Sequence, residues 1–195
     1  MAKKLESSVK NMILCLFFIS LFMSAALGFV YQATKGPIAE TQKKAEIDAL
    51  KNVLPKFDND PTTEAKEIEG LTYYIAKSGE KAVGCAVKTF TTKAFSGRFD
   101  LMVGFKVDGT INSIAVLTQK ETPGLGDKMK TKWKDQFNGK NPKDFKMTVK
   151  KDGGEVDAIS ASTITSRAFC DATQKAYDGY MKNYEKQLNT GGNDE

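Results

Sequence analysis

The sequence predicts an α+β architecture: one N-terminal transmembrane helix, then a domain with an antiparallel sheet and flanking helices. Three observations lead there. An uncharged apolar run lies near the start, β-branched and aromatic segments fill the middle, and an apolar repeat of four residues lies close to the end.

Asn11 to Thr34 contains no charged residue and is almost wholly apolar at its centre. A membrane span needs about 20 such residues. Lys3, Lys4 and Lys10 precede it against Glu6 alone, which places residues 1–10 in the cytoplasm by the positive-inside rule. Residues 35–190 then form an extracytoplasmic domain, with 191–195 a frayed tail. MSAALG offers small residues where a signal peptide would be cut, but the run exceeds the usual h-region, so a retained single-pass anchor in the inner membrane is the expectation.

Ile38 to Leu54 reads as a helix with Ile38, Ala45, Ala49, Leu50 and Val53 on one side, closed by Pro55. Asn59 to Glu69 is polar and reads as a loop. Four strand-like segments follow: Leu71–Lys77, Lys81–Phe90, Arg98–Val107 and Thr110–Gln119, the last two joined through Asp108-Gly109, a hairpin signal. Alternation puts Ile111, Ser113, Ala115 and Leu117 on one face of the last strand, with Ile114 and Val116 on the other. A short amphipathic helix is expected around Met129, Trp133 and Phe137, and a further strand over Asp144–Lys150. From Ile164 onward Ala168, Ala172, Ala176 and Tyr180 recur every four residues, flanked by Phe169, Tyr177 and Tyr184, which describes a helix with an apolar stripe.

Composition narrows the chemistry. The chain has 195 residues, a net charge of +5 and no histidine. Triads built on histidine are excluded, and the three cysteines at 15, 85 and 170 have no zinc spacing, so no metal site is expected. Cys85 and Cys170 read as small core residues or as a disulfide pair, with the core reading preferred. Charges beyond residue 34 nearly balance, which gives no nucleic-acid footprint.

Two motifs stand out. Asp157 to Phe169, DAISASTITSRAF, gathers Ser160, Ser162, Thr163, Thr165 and Ser166 just before the last helix. Such hydroxyls cap helices, and a helix N-terminus surrounded by them also attracts phosphate. Periodicity does not choose between the two. Glu121-Thr122-Pro123-Gly124-Leu125-Gly126 reads locally as a tight turn leaving a strand.

The run Asp157-Ala-Ile-Ser160-Ala161-Ser162-Thr163 resembles the flavinylation motif of the FMN-binding domain family, found in the G subunit of the Rnf electron-transport complex and the C subunit of the sodium-pumping NADH:quinone oxidoreductase. The usual pattern is Asp, two residues, Ser or Thr, Gly, Ala, Thr. Asp157, Ser160 and Thr163 match, while Ala161 stands for Gly and Ser162 for Ala. ETPGLG followed by a charged segment is a second signature of that family, and Phe95-Ser96-Gly97 and the hairpin DGTINSIAVL also fit. The short chain resembles the Rnf subunit more than its longer relative.

The resemblance implies an FMN phosphoester on Thr163, made by a flavin transferase. Asp157, Ser160, Ser162, Glu121, Thr122, Gly124, Leu125 and Gly126 would lie near it, glycine N–H groups at the phosphate or ring and Leu125 on the ring face. Lys88, Lys93 and Arg98 are candidates to lie near the flavin and favour its reduced anion. It also implies an electron carrier among the other subunits of a membrane complex linking ferredoxin, NAD and ion movement, a translocase subunit with no catalytic acid or base of its own. Two alternatives stand beside it: a stand-alone anchored flavoprotein serving an extracytoplasmic reductase, and a structural subunit without flavin.

Overall fold

The computed structural model describes residues 8–184; the expected cytoplasmic start and the frayed tail at 191–195 fall largely or wholly outside them. The chain divides into two compact units, Met1–Lys44 and Ala45–Glu195. Helix α1 runs from Val9 to Val53 as one element, with Pro37 inside it. It contains an 18-residue window of mean hydropathy 2.5, none of it buried, which is long and apolar enough to cross a membrane. The sequence divided this stretch into a span and a separate helix; the helix is continuous. Pro37 supplies no N–H, while its carbonyl accepts the Thr41 hydroxyl at 2.8 Å.

The second unit is built on a five-stranded antiparallel meander in the order β1 (Lys66–Ile68), β2 (Leu71–Ser78), β3 (Lys81–Ala94), β4 (Gly97–Lys106) and β5 (Ile111–Thr118). Four strands match the expectation. The fifth, β1, lies in the segment read as a polar loop, and its residues are exposed or half-buried, so no apolar alternation marks it. It forms because Lys66–Ile68 continues the ladder onto Leu71–Tyr73 across a two-residue turn with Glu69 and Gly70 at positive φ.

Side chains alternate across the sheet. Tyr73, Cys85, Val87, Leu101 and Val103 face one core with helix α2 (Thr163–Asn183). Tyr74, Ala86 and Met102 face another, under the last turn of α1 with Ala49, Leu50, Val53 and Leu54. Ile38 and Ala45 are exposed, so the buried side of that helix is narrower than the sequence suggested. In β5 a bulge skips Asn112, pairing Gly104 with Ser113 but Phe105 with Ile111. The bulge moves Ile111 to the side of Ile114, away from Ala115 and Leu117, and so corrects the strict alternation.

Helix α2 buries Ala168, Phe169, Ala172, Ala176, Tyr177 and Tyr180 on the sheet, as the four-residue repeat required. Gly179 allows the close approach, since a Cβ there would lie 2.4 Å from the Tyr73 hydroxyl oxygen. The expected helix around Trp133 is two short 3₁₀ turns, Gly126–Lys130 and Lys132–Phe137. Asp144–Lys150 is not a strand; it contributes one bridge, Val149 to Val156. Cys85 and Cys170 are buried free thiols, as the core reading held, and burial pushes both up to about 12.

Candidate functional site

The two singled-out motifs meet. The chain leaving β5 turns at Glu121, and the loop through Gly126 packs against the first turn of α2. Together with Phe95 from the β3–β4 hairpin they enclose a cleft of about 350 Å³. Its walls are Phe95, Glu121, Thr122, Leu125 and Gly126 on one side and Ala161 to Thr165 on the other.

Glu121 holds the parts together. It is only 6% exposed. Its Oε1 accepts the Ser96 N–H at 2.8 Å, and its Oε2 accepts the Thr165 hydroxyl at 2.8 Å. One carboxylate thus joins the hairpin, the turn and the helix. Gly126 must lack a side chain here, because a Cβ would sit 2.4 Å from Glu121 Oε2 and 3.0 Å from Thr165 Oγ1.

The hydroxyl cluster divides by role. Among the described residues no side chain caps the start of α2. The Ser166 hydroxyl donates to the Ser162 carbonyl and accepts the Ile159 N–H. Thr165 is 1% exposed and committed to Glu121. Ser162 is buried, Ser160 is exposed away from the cleft, and Thr163, the first helical residue, is half-buried within its wall. The first-turn N–H groups of α2 have no earlier carbonyl in their own helix to bond. They supply the positive end of a helix dipole beside the Thr163 side chain.

Ala161 occupies the left-handed region at φ +62°. Glycine adopts that conformation without the Cβ clash an alanine meets. The glycine usual at this place in the motif therefore has a conformational reason, and the alanine here carries strain.

Of the other residues expected at the site, Asp157 and Gly124 do not line the cleft. The Asp157 carboxylate pairs with Lys150 at 2.7 Å, and its backbone carbonyl accepts the Trp133 indole N–H at 2.6 Å. Gly124 sits at φ +77° and shapes the turn. Lys88, Lys93 and Arg98 pair with Glu46, Asp171 and Asp100, and none lines the cleft. Sequence reasoning gave no site role to Phe95 or Ile164, placed Ala161 in the motif only as a stand-in for glycine, and named Thr165 only within the hydroxyl cluster. Phe95 and Ile164 are 70% and 49% exposed, and Leu125 is 41% exposed, so three apolar side chains rim the opening. An apolar residue in a polar turn was the available signal.

The site thus combines an apolar rim, an uncapped helix N-terminus with the half-buried Thr163 at its start, and the exposed Thr122 on the facing wall. That donor set fits a phosphate carrying a flat, largely apolar ring system: phosphate at the helix end, ring against Phe95, Leu125 and Ile164.

Comparison with known proteins agrees. The FMN-binding domain family model matches residues 95–178. The G subunit of the sodium-translocating ferredoxin:NAD oxidoreductase complex of Acetobacterium woodii is 34% identical, over 86% of this chain and 89% of that protein. The G subunit of the ion-translocating oxidoreductase complex is 33% identical in Pseudomonas aeruginosa, over 94% and 93%, and 31% identical in Aliivibrio fischeri, over 92% of each. Among solved structures, the C subunit of the sodium-translocating NADH-quinone reductase from Parabacteroides distasonis has a TM-score of 0.49 and 20% identity, covering 68% of this chain and 78% of that one.

Proposed function

This chain belongs to the FMN-binding domain family, among the G subunits of ion-translocating oxidoreductase complexes, and from that membership we propose that it carries FMN esterified to Thr163 and relays electrons inside an Rnf-type ferredoxin:NAD oxidoreductase. The carrying observation is the half-buried Thr163 hydroxyl at the uncapped start of α2, in the wall of an apolar-rimmed cleft.

Bound FMN supplies redox chemistry in one-electron or two-electron steps. The protein's residues hold and orient it. The α2 dipole stabilises the phosphate charge, Phe95, Leu125 and Ile164 shield one part of the ring, and Glu121 keeps the turn against the helix. No residue of the cleft need act as a catalytic acid or base. Of the cleft hydroxyls at the start of α2, Thr165 is engaged and Ser162 is buried, and the exposed Thr122 lies on the opposite wall away from the helix N-terminus, which supports Thr163 as the acceptor. The apolar helix within Val9–Val53 acts as anchor, with residues 1–10 cytoplasmic, 11–34 in the membrane and the domain outside, where a covalent bond prevents loss of the cofactor. The other subunits of the complex and a flavin transferase are its partners.

Coexpression with a flavin transferase, followed by a denaturing gel under ultraviolet light and peptide mass mapping, tests this reading. The wild-type band fluoresces and its modified peptide carries FMN on Thr163; Thr163→Ala is dark yet folded and membrane-bound. A dark wild-type band, with a transferase shown to label another acceptor, refutes the proposal.

A further inference from the structure

Of the charged residues the sequence offered for the site, the acid Glu121 lines the cleft and the cations Lys88, Lys93 and Arg98 do not. Glu121 lines the cleft, yet among the described residues no lysine or arginine forms an ion pair with it. Both oxygens act as acceptors, toward the Ser96 N–H and the Thr165 hydroxyl, the pattern of an ionised carboxylate. Two neutral donors spread its charge without cancelling it. The three cations expected near the cleft are turned instead to Glu46, Asp171 and Asp100.

Resting on the flavin reading above, we propose that Glu121 sets the electrostatic sign of the cleft and lowers the reduction potential of a flavin held on Thr163. An electron entering the oxidised ring makes it one unit more negative until a proton is taken from water. A fixed negative charge nearby opposes that entry, and burial at 6% exposure weakens solvent screening of the opposition. The same carboxylate also braces the start of α2, so a structural role exists beside the electrostatic one. The two separate by experiment, because bracing alters stability and leaves the potential where it was.

The full chain, flavinylated and in detergent, is titrated with dithionite as electron donor, and the potential is read from the flavin absorbance. Glu121→Gln keeps the shape and removes the charge. The equilibrium for one-electron uptake then shifts about tenfold toward reduction, equivalent to 59 mV for one electron. Glu121→Asp retains the charge on a shorter arm, so its potential does not rise as that of Glu121→Gln does. Thr165→Val keeps the charge and strips a donor from it, so its potential moves the other way. Should Glu121→Gln fail to fold or to load, the downward shift in Thr165→Val decides the matter. Flavin content of denatured wild-type protein is measured first. Its absence overturns the FMN reading and this inference with it, whereas loaded variants with unchanged potentials overturn the inference alone.

Discussion

Gly126→Ala is the sharpest test of how the site is assembled. Gly126 is not in the left-handed region, so the substitution brings no backbone strain and acts through its methyl group. That methyl would stand 2.4 Å from Glu121 Oε2, 2.9 Å from Glu121 Cβ and 3.0 Å from Thr165 Oγ1. The carboxylate end can swing away, but only by releasing the Thr165 hydroxyl. A hydrogen bond to a charged group contributes about 1.5–3 kcal/mol, and a methyl forced into packed surroundings costs about 1–3 kcal/mol. The two overlap, since breaking the bond relieves part of the clash, which leaves roughly 2–4 kcal/mol of destabilisation. Denaturant unfolding of the full chain, followed by the single tryptophan, measures it. Trp133 packs edge-on against Phe169 at 5.1 Å, so its emission reports the α2 interface. The decisive comparison is a cycle with Thr165→Val. With that hydroxyl already gone, Gly126→Ala costs less by about 1–2 kcal/mol. Additive costs, agreeing within about 0.5 kcal/mol, would refute the three-way junction.

Three further outcomes are expected. Ala161→Gly relieves the strain at φ +62°; a left-handed alanine costs about 1–2 kcal/mol and glycine loses part of that gain to unfolded-state entropy, so the melt reports about 0.5–1 kcal/mol of added stability. Tyr74 is held protonated by burial and by its hydrogen bond to Glu46, which raises its pKa above 10.0. Its contribution is complete below pH 10 and lost as pH rises beyond it; Tyr74→Phe is therefore less stable by about 1–2 kcal/mol at pH 8 and declines less steeply above pH 10 in pH-dependent denaturation. Cys85 and Cys170, pushed up to about 12, resist a thiol reagent at pH 8 in a Cys15→Ser background until guanidinium unfolds the chain, because only about one thiol in 10⁴ is ionised.

The sequence carried most of the fold through periodicity. The repeat Ala168-Ala172-Ala176-Tyr180 and the alternation in Tyr73–Val87 partners are properties of neighbours in the chain, and the helix and central strands followed from them. What it did not carry depends on residues far apart. β1 has no apolar pattern of its own and forms because β2 offers an edge. Asp144–Lys150 has the alternation of a strand without a partner to pair with, so it yields a single bridge. The bulge at Gly104/Phe105 is set by how two strands meet, and so the faces of β5 could not be read from β5. At the site, the two motifs were visible and their meeting was not. The Thr165–Glu121 bond spans 44 positions, and the Ser96 contact uses a backbone N–H that every residue but proline possesses. The fates of Lys88, Lys93 and Arg98 were hidden likewise, since each depended on which acid lay within reach.

The cleft is open and its rim residues Phe95, Leu125 and Ile164 are well exposed. For a cofactor that binds by equilibrium this would be a poor design, because occupancy would follow every change in those contacts. Under the proposed ester to Thr163, a flavin would be released from that demand. Its local concentration is on the order of millimolar whatever the medium holds, so contact energies near 4 kcal/mol divide its time about evenly between seated and swung-out positions. Substitution of a rim residue then changes how long the ring stays seated, which fluorescence anisotropy detects, and leaves the amount of flavin per chain unaltered. With the proposed tether, an open cleft would work as a swivel, trading a fixed address for reach.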